Sequence, residues 1–327
     1  MRSIKLIRVM TAGMALAACF TAPASMAQPY PSKPVRLIVP YPPGGGNDTL
    51  ARLFGQKLAE RLGQPVVIDN RPGAGTMIGT EAASKSPGDG YTFLLSSVVT
   101  HALMPHLYTK IPFDALRDFV PITTLAVAPT VVIVNRALPV NSLSDLIALA
   151  RASPGKYAFA SGGSGTTPHI SGEVFKAMTK TDFLHVAYKG GGPAITDLIG
   201  GQVHVMFDTA ASGMPHVKAG RLKALAIAAP KRYAEYPDLP TFTEAGLPGY
   251  EVNSWYSLHA PAGTPRDVIQ RIFTEIVSIL KLPDVADRLK QLNADPGGMP
   301  PDEFDRFVRA ESARYAGIIK SAGIKVE

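Results

Sequence analysis

Cysteine is almost missing from this chain, which contains a single residue of this type, Cys19. That residue lies in a leader-like segment, and removal of the first 27 residues leaves no cysteine. The sequence therefore excludes disulfide bonds and thiol chemistry from the mature protein. Stability must come from a buried core, and the 300 residues after Ala27 are enough for two domains of ordinary size.

The first 27 residues have the features of a signal peptide. Three basic residues precede Val9–Phe20, an apolar stretch too short to span a bilayer as a mature helix, and Ser25-Met26-Ala27 is a small-x-small cleavage site. We expect an exported protein that begins at Gln28. An alternative stays open, because Leu16-Ala17-Ala18-Cys19 resembles a lipoprotein box, which would leave the chain anchored through Cys19.

Long apolar runs and basic clusters are absent from the rest of the sequence. No run after the leader is long enough for a transmembrane helix. The net charge of the mature chain is +4, and its basic residues are scattered rather than interleaved with aromatic ones. These features argue against a membrane span and against a nucleic-acid partner.

Catalytic and metal-binding motifs are incomplete. Ser164 would be the centre of a Gly-x-Ser-x-Gly nucleophile elbow, but residue 166 is threonine. His101 and His106 are five positions apart, which does not place them on one helical face, and no His-Glu-x-x-His occurs. We therefore expect no metal, no cofactor and no enzymatic activity.

Strand-like and helix-like runs alternate along most of the chain. The strand-like runs are Val35–Val39, Val66–Asp69, Thr92–Leu95, Val131–Val134, Tyr157–Ala160, Phe183–Val186, Val203–Phe207 and Leu222–Ala228. This alternation predicts an α/β protein with mostly parallel sheets. Since no linker is present, the chain is expected to cross twice between two domains, at Pro129 and near Pro230. The predicted lobes are residues 28–128 plus 230–327, and residues 129–229.

The last part of the sequence is predicted to be helical. Thr264-Pro265-Arg266-Asp267 has the cap, the proline and the acidic residue of a helix start, and another helix is expected from about Pro301 to Gly323. Both have an apolar face, which indicates packing rather than chemistry.

Val35–Arg52 is the most informative segment. A short apolar run is followed by three prolines and three glycines, and then by a helical pattern that Asn47 or Asp48 can cap. Backbone N–H groups at such a junction, together with the helix dipole, attract an anion. The Gly-Lys-Ser/Thr end of a Walker loop is missing, so a carboxylate fits better than a triphosphate.

Two similar junctions follow later in the chain. Ser161–His169 places glycines between a strand and a helix start, and Ala187–Pro193 repeats this arrangement. Ligands of open α/β sheets bind beyond the carboxyl ends of strands, so the three loops are expected to line one cleft. The alternative is that each loop is only a tight turn between a strand and a helix.

Several side chains have two interpretations. His169 contacts a ligand or bonds the backbone of the first helical turn. Asp208 faces the cleft or caps the helix that follows the strand Val203–Phe207. Trp255 and Tyr256 belong to the core, which is commoner for aromatic residues, or to the cleft.

A resemblance to a known family rests on segments that occur in order along the chain. They are Tyr30–Gly45, Asp69–Gly75, Pro87–Thr92, Ser164-Gly165 with His169, Val186–Ala194, Met206–Asp208, Glu244–Tyr250 and Ala260–Pro265. On these segments the chain resembles the substrate-binding receptors of tripartite tricarboxylate transporters, also called the Bug family, over its whole mature length.

The resemblance implies a fold, a ligand class and partners. The fold is a two-lobed type II periplasmic binding protein with a hinge crossed twice, and the family ligands are tricarboxylates, dicarboxylates, acidic amino acids and aromatic acids. The receptor is expected to be a periplasmic monomer that delivers its ligand to membrane permease subunits. Docking of the closed complex on a sensor kinase is the alternative, and an exported hydrolase is less favoured because its motifs are missing.

The predicted ligand contacts combine the glycine loops with nearby side chains. They are Tyr41, Gly44, Gly45, Gly46, Asn47, Asp48, Ser96, Ser97, Ser164, Gly165, Thr166, His169 and Asp208. In the family, main-chain N–H groups and waters of the two glycine loops typically hold the carboxylates. Asn47 departs from the threonine or serine that the family often has before the aspartate, which keeps the capping role but can change the ligand contact.

Overall fold

Two open sheets flanked by helices make up the computed structural model, which describes residues 30–44, 46–321 and 323–324. Residues 33–327 form one unit, and residues 1–32 form another, of which only the last three are described. The predicted signal peptide and Gly45 lie outside the described residues. In the described part, no helix is long and apolar enough to cross a membrane.

The first sheet contains the opening strands and the strands that follow the return of the chain. They are β1 (Val35–Val39), β2 (Val66–Asn70), β3 (Thr92–Ser97), β4 (Phe119–Ala128), β10 (Ser254–Pro261) and β11 (Asp295–Pro296). Their order is β11-β4-β10-β3-β1-β2. Strand β1 pairs in parallel with β2 and β3, whereas β10 runs antiparallel to β3 and β4.

The second sheet contains the intervening strands. They are β5 (Thr130–Asn135), β6 (Ala158–Ser161), β7 (Leu184–Ala187), β8 (Val205–Thr209) and β9 (Leu222–Ile227), in the order β7-β6-β8-β5-β9. Strand β6 pairs in parallel with β7 and β8, and β5 runs antiparallel to both of its neighbours. Both sheets are therefore mixed rather than mostly parallel as the alternation predicts, because β5 and β10, the strands that follow the crossings, run antiparallel to their neighbours.

Helices connect the strands and cover the sheets. They are α1 (Gly46–Leu62), α2 (Met77–Ser84), α3 (Met104–Leu107), α4 (Leu143–Ala152), α5 (Thr167–Thr179), α6 (Gly191–Ile199), α7 (Ala210–Lys218), α8 (Arg266–Leu280), α9 (Pro283–Gln291) and α10 (Pro301–Ser321). A 3₁₀ turn, Ala74–Thr76, precedes α2, and a π-helical turn, Val99–Leu103, precedes α3. Helix α1 shows why they pack, because Leu50, Phe54 and Leu58 recur at helical spacing and are at most 3 % exposed.

The predicted α/β class with two sheets is confirmed, and each predicted strand lies within two residues of an observed one. Strands β4, β10 and the two-residue β11 are missing from the prediction. Strands β4 and β10 are buried on both faces and carry polar residues, which hides the period of two. Helix α1 begins at Gly46, so Asn47 and Asp48 lie inside its first turn rather than before it. Thr264 does not cap α8, because its hydroxyl donates to the Pro261 carbonyl and Pro265 is the N-cap.

Candidate functional site

The carboxyl edges of the two sheets adjoin at the point where the chain passes between them. In the first sheet β10 begins where β3 and β4 end, since Ser254 pairs with Ala128. In the second sheet β5 begins where β8 ends, since Thr130 pairs with Thr209. Only Pro129 separates β4 from β5. The edges at which open α/β sheets bind ligands are therefore next to each other.

Asp48 organises the first glycine loop from inside α1. Its carboxylate accepts hydrogen bonds from the Gly44 N–H at 2.9 Å, from Arg52 Nε at 2.9 Å and from Asn70 Nδ2 at 3.0 Å. Asn70 also donates to the Tyr41 carbonyl at 3.1 Å. The hydrogen bond from Arg52 is the largest influence that lowers the pKa of Asp48 to about 2. An ionised Asp48 with both oxygens engaged fixes the loop between β1 and α1.

Two tyrosine hydroxyls approach the site from the first sheet. The Tyr41 hydroxyl lies 2.7 Å from Ser97 Oγ, and burial raises the pKa of Tyr41 to about 12. Burial also raises the pKa of Tyr256 on β10, and the charges of Tyr41 and Asp208 raise it further. Since Asp208 belongs to the second sheet, Tyr256 lies within electrostatic reach of a group on each side of the boundary between the sheets.

Two side chains hold the second glycine loop, which joins β6 to α5. The Gly165 N–H donates to His169 Nδ1 at 3.1 Å. The Ser161 hydroxyl contacts the Gly163 backbone at 3.1 and 3.2 Å and lies 2.7 Å from His185 Nε2. Gly165 has a φ of +78°, which is costly for any residue with a Cβ. The loop conformation therefore depends on glycine and on two histidines.

These histidines stack on each other, with His169 buried and His185 half-buried. The ring centroids of His169 and His185 are 4.1 Å apart, and those of His185 and Phe159 are 4.7 Å apart. Burial lowers the pKa of both histidines to about 4, and the nearby Lys176 acts in the same direction. Both rings are therefore neutral at neutral pH. Since Nδ1 of His169 accepts the Gly165 bond, the neutral ring carries its hydrogen on Nε2.

Three helices of the second sheet begin at this edge without a side-chain cap among the described residues. They are α5, α6 and α7, whose N-cap residues are Thr166, Gly190 and Thr209. Helix α4 begins at the opposite edge of the second sheet, and Ser142 and Asp145 form a complete capping box there. An uncapped helix start offers N–H groups and a positive dipole end to an anion.

Asp208 is the least satisfied charged group of the site. It ends β8 with 5 % of its surface exposed, and its Oδ1 accepts a hydrogen bond from the Thr209 N–H at 2.8 Å. Its Oδ2 is buried and has no hydrogen-bond partner among the described residues. Burial raises the pKa of Asp208 to about 6, although Ser212 and the Thr209 N–H lower it. Asp208 does not cap the first turn of α7, since the Ala210 N–H donates to the Pro129 carbonyl.

The other predicted contacts differ in their surroundings. Asn47 Oδ1 and Ser96 Oγ are buried without a hydrogen-bond partner among the described residues. Ser96 is fully buried inside the first sheet, opposite Ser257 of β10. Ser164 is exposed, and the Thr166 hydroxyl donates to the Gly163 carbonyl at 2.6 Å. Gly45 lies outside the described residues.

Four further residues adjoin the candidate site; the sequence left Tyr256 open between core and cleft and did not indicate the other three. Arg52 and Asn70 hold Asp48, His185 supports the second loop, and Tyr256 lies near Asp208. Asn70 directly follows a predicted strand, which is the signal that could have found it. The others come from a helix interior and from strands whose neighbours are distant in sequence.

A cavity of about 620 Å³ lies away from these loops. It is lined by the crossing segments and by α10, and none of the predicted contacts that the structure describes borders it. The glycine loops, by contrast, border open space at Gly44, Gly190 and Gly191. Among the described residues, no group of three or more histidine, cysteine or acidic side chains can hold a metal ion.

Comparison with known proteins gives a consistent result. Residues 50–324 match the model of the tripartite tricarboxylate transporter family receptor. Protein BugT of Bordetella pertussis is 37 % identical over 328 residues, which cover 97 % of this chain and 99 % of BugT.

Two solved structures that share the fold include a carboxylate ligand. Rpa4515 of R. palustris with adipate has a TM-score of 0.83 and 38 % identity, over 91 % of this chain and 100 % of that one. MatC of Rhodopseudomonas palustris with bound malate has a TM-score of 0.79 and 31 % identity, over 89 % of this chain and 100 % of that one.

Proposed function

The chain belongs to the tripartite tricarboxylate transporter family of receptors, and we propose that it is a periplasmic solute-binding protein that captures a small organic carboxylate. It delivers this ligand to the membrane subunits of a tripartite tricarboxylate transporter and performs no reaction. The observation that carries the proposal is the set of helix starts without a side-chain cap at the carboxyl edge of the second sheet, together with the glycine loop that Asp48 holds at the adjoining edge of the first sheet.

The two glycine loops each receive one carboxylate. Loop N–H groups and helix starts supply hydrogen bonds to an anion, and a helix start is worth about 0.3–1 kcal/mol, or up to ~2 kcal/mol when partly buried. Asp48 and His169 do not need to touch the ligand, because each already bonds a backbone N–H of its own loop. We assign them the role of holding the loop N–H groups in place.

The ligand class that fits best is a dicarboxylate. The loops belong to different sheets, so a molecule that reaches both carries a carboxylate at each end. The adipate and malate in the two similar structures are dicarboxylates, which supports this assignment. The buried Oδ2 of Asp208 has no hydrogen-bond partner among the described residues and is an acceptor that suits a hydroxyl or ammonium group of the ligand.

Ligand capture requires that the two sheets, as two lobes, close around the carboxylate. Contacts from both sheets stabilise the closed form only when the ligand bridges them, and the two adjoining crossings act as the hinge. The lobes correspond to residues 28–128 plus 230–327 and to residues 129–229, as the sequence predicts.

A thermal-shift screen followed by calorimetry tests this function. Adipate, malate, succinate, citrate, aspartate and benzoate are compared, with the amide adipamide as the uncharged control. A true ligand at about a hundred times its Kd adds roughly 2.7 kcal/mol to stability. Small-angle scattering at saturation should then show a smaller radius of gyration. The proposal fails if no carboxylate stabilises the protein, and closure fails if the ligand binds without a change in scattering.

A further inference from the structure

The cavity of about 620 Å³ behind the crossing segments is lined by aromatic and acidic side chains, whereas the glycine loops present backbone N–H groups. Its walls contain the aromatic residues Phe242, Tyr250, Trp255 and Phe307. Phe242 and Tyr250 are stacked with ring centroids 4.0 Å apart, and Trp255 meets Phe307 edge-on at 5.8 Å. The volume lies in the range of pockets that hold small organic molecules.

The charged side chains around this cavity are mostly acidic. They are Glu251, Glu303, Glu311 and Arg314. Arg314 is neutralised within the wall, since its guanidinium bonds Glu311 at 2.8 Å and the Glu251 carbonyl at 3.1 Å. Glu251 and Glu303 are exposed, and neither has an ion-pair partner among the described residues. The lining therefore has a net negative charge.

We propose that this cavity is a second binding site, which takes a small aromatic cation. An aromatic body packs against the four rings, and a positive group gains from the ring faces and from Glu303 and Glu251. A carboxylate is repelled by the same acids, so this site does not compete for the ligand of the glycine loops. The assignment is independent of which carboxylate the protein carries.

Trp255 is the single tryptophan of the chain, and it lines this cavity. Phenethylamine, a cation at neutral pH, and phenylacetate, an anion of similar size, are therefore titrated while the one indole N–H resonance is followed by NMR. Phenethylamine should shift this resonance along a saturable curve. Phenylacetate should leave it unchanged at equal concentration.

Two matched variants test whether a carboxylate at the cavity contributes to phenethylamine binding. Glu303→Gln removes a carboxylate at the cavity, whereas Asp302→Asn removes its exposed neighbour in the same helical turn, which does not line the cavity. One charge at about 4 Å in a water-like medium changes affinity about fivefold. Glu303→Gln should therefore weaken phenethylamine binding about fivefold, and Asp302→Asn should weaken it much less.

Ala229→Phe fills the cavity beside the crossing and should abolish the shift caused by phenethylamine, with thermal unfolding as the check that the variant folds. The proposal is overturned if phenethylamine gives no saturable shift in the wild-type protein. It is also overturned if phenylacetate binds equally well, if the two charge variants behave alike, or if a folded Ala229→Phe variant binds normally.

Discussion

Replacement of Asp208 by asparagine tests separately how much stability a buried charge costs the fold and what that charge contributes to ligand binding. The pKa of this carboxyl is about 6 in the folded protein, against 3.8 for an ordinary aspartate. A difference of about two units corresponds to about 3 kcal/mol of stability that the ionised group removes from the fold. This is a large part of the 5–15 kcal/mol that stabilises a typical domain.

The direction in which stability changes with pH follows from the pH at which the folded and the unfolded chain each release the proton of Asp208. Below pH 3.8 the carboxyl is protonated in both the folded and the unfolded chain, so it costs nothing. Between pH 3.8 and about 6 the unfolded chain releases this proton first, and the fold loses stability as the pH rises. Above pH 6 the full cost is present. Asp208→Asn removes this dependence, although an amide placed at the unpartnered Oδ2 position adds a constant penalty.

The assay is urea unfolding of both proteins without ligand at intervals between pH 4 and pH 8. His169 and His185 act in the opposite direction in part of this range, so only the difference between variant and wild type isolates Asp208. That difference should grow by about 2 kcal/mol in favour of the variant from pH 4 to pH 8, since part of the cost is already present at pH 4. Asp238→Asn, at an exposed acid, is the control and should track the wild type. A difference that is the same at both ends of the range would refute the reasoning.

The affinities of the wild type and of Asp208→Asn for different acids test the role of Asp208 in binding. An ionised Asp208 repels a bound dianion, so a plain dicarboxylate binds with Asp208 protonated and loses affinity as the pH rises above 6. Asp208→Asn should bind adipate without this loss and should bind aspartate, which carries an ammonium group, more weakly than the wild type. If the variant binds every acid with wild-type affinity at each pH, Asp208 is structural and does not belong to the site.

Three further predictions concern the loops. Gly165→Ala should abolish carboxylate binding measured by calorimetry, and normal binding by this variant would contradict the prediction. Gly63→Ala is the control, because Gly63 has a φ of +68° at the far end of α1; it should lose similar stability and keep the wild-type affinity. His169→Phe should weaken carboxylate binding about fivefold because it loses the hydrogen bond from the Gly165 N–H, and His169→Gln should weaken it less. The affinity of the wild type should fall as the pH drops through about 4, and equal effects of both variants would count against a positioning role. Lys189→Ala should keep most of the affinity, with little salt dependence, because Lys189 is exposed and the binding groups are backbone N–H groups; complete loss would indicate a cationic clamp.

The sequence predicts best what is encoded locally. A strand, a run of glycines and a helix start are adjacent in the chain, so the loops after β1 and β6 could be located without the structure. The order of the strands is not local. Strand β10 enters the first sheet between β3 and β4 because the chain returns more than a hundred residues later, and this places Tyr256 near Tyr41.

The same limit explains the side chains that were assigned wrongly or left open. Asp48 looks like a cap in the sequence, but Asn70 and Arg52 reach it from β2 and from the next turn of α1. His169 could contact the ligand or the backbone, and the structure shows the backbone bond to Gly165. Neither outcome follows from spacing alone, since both depend on which elements pack beside the loop.

In this geometry the backbone and the side chains have different roles in ligand binding. The groups proposed to bind the anion are backbone N–H groups, which every sequence supplies if the glycines and the supporting Asp48 and His169 are kept. The groups proposed to distinguish one carboxylate from another are few, and Asp208 and Tyr256, which lie within electrostatic reach of each other, are the candidates. Relatives that share 31–38 % of the sequence and carry adipate or malate are consistent with this arrangement, since recognition of the carboxylate and selection of its carbon skeleton depend on different atoms.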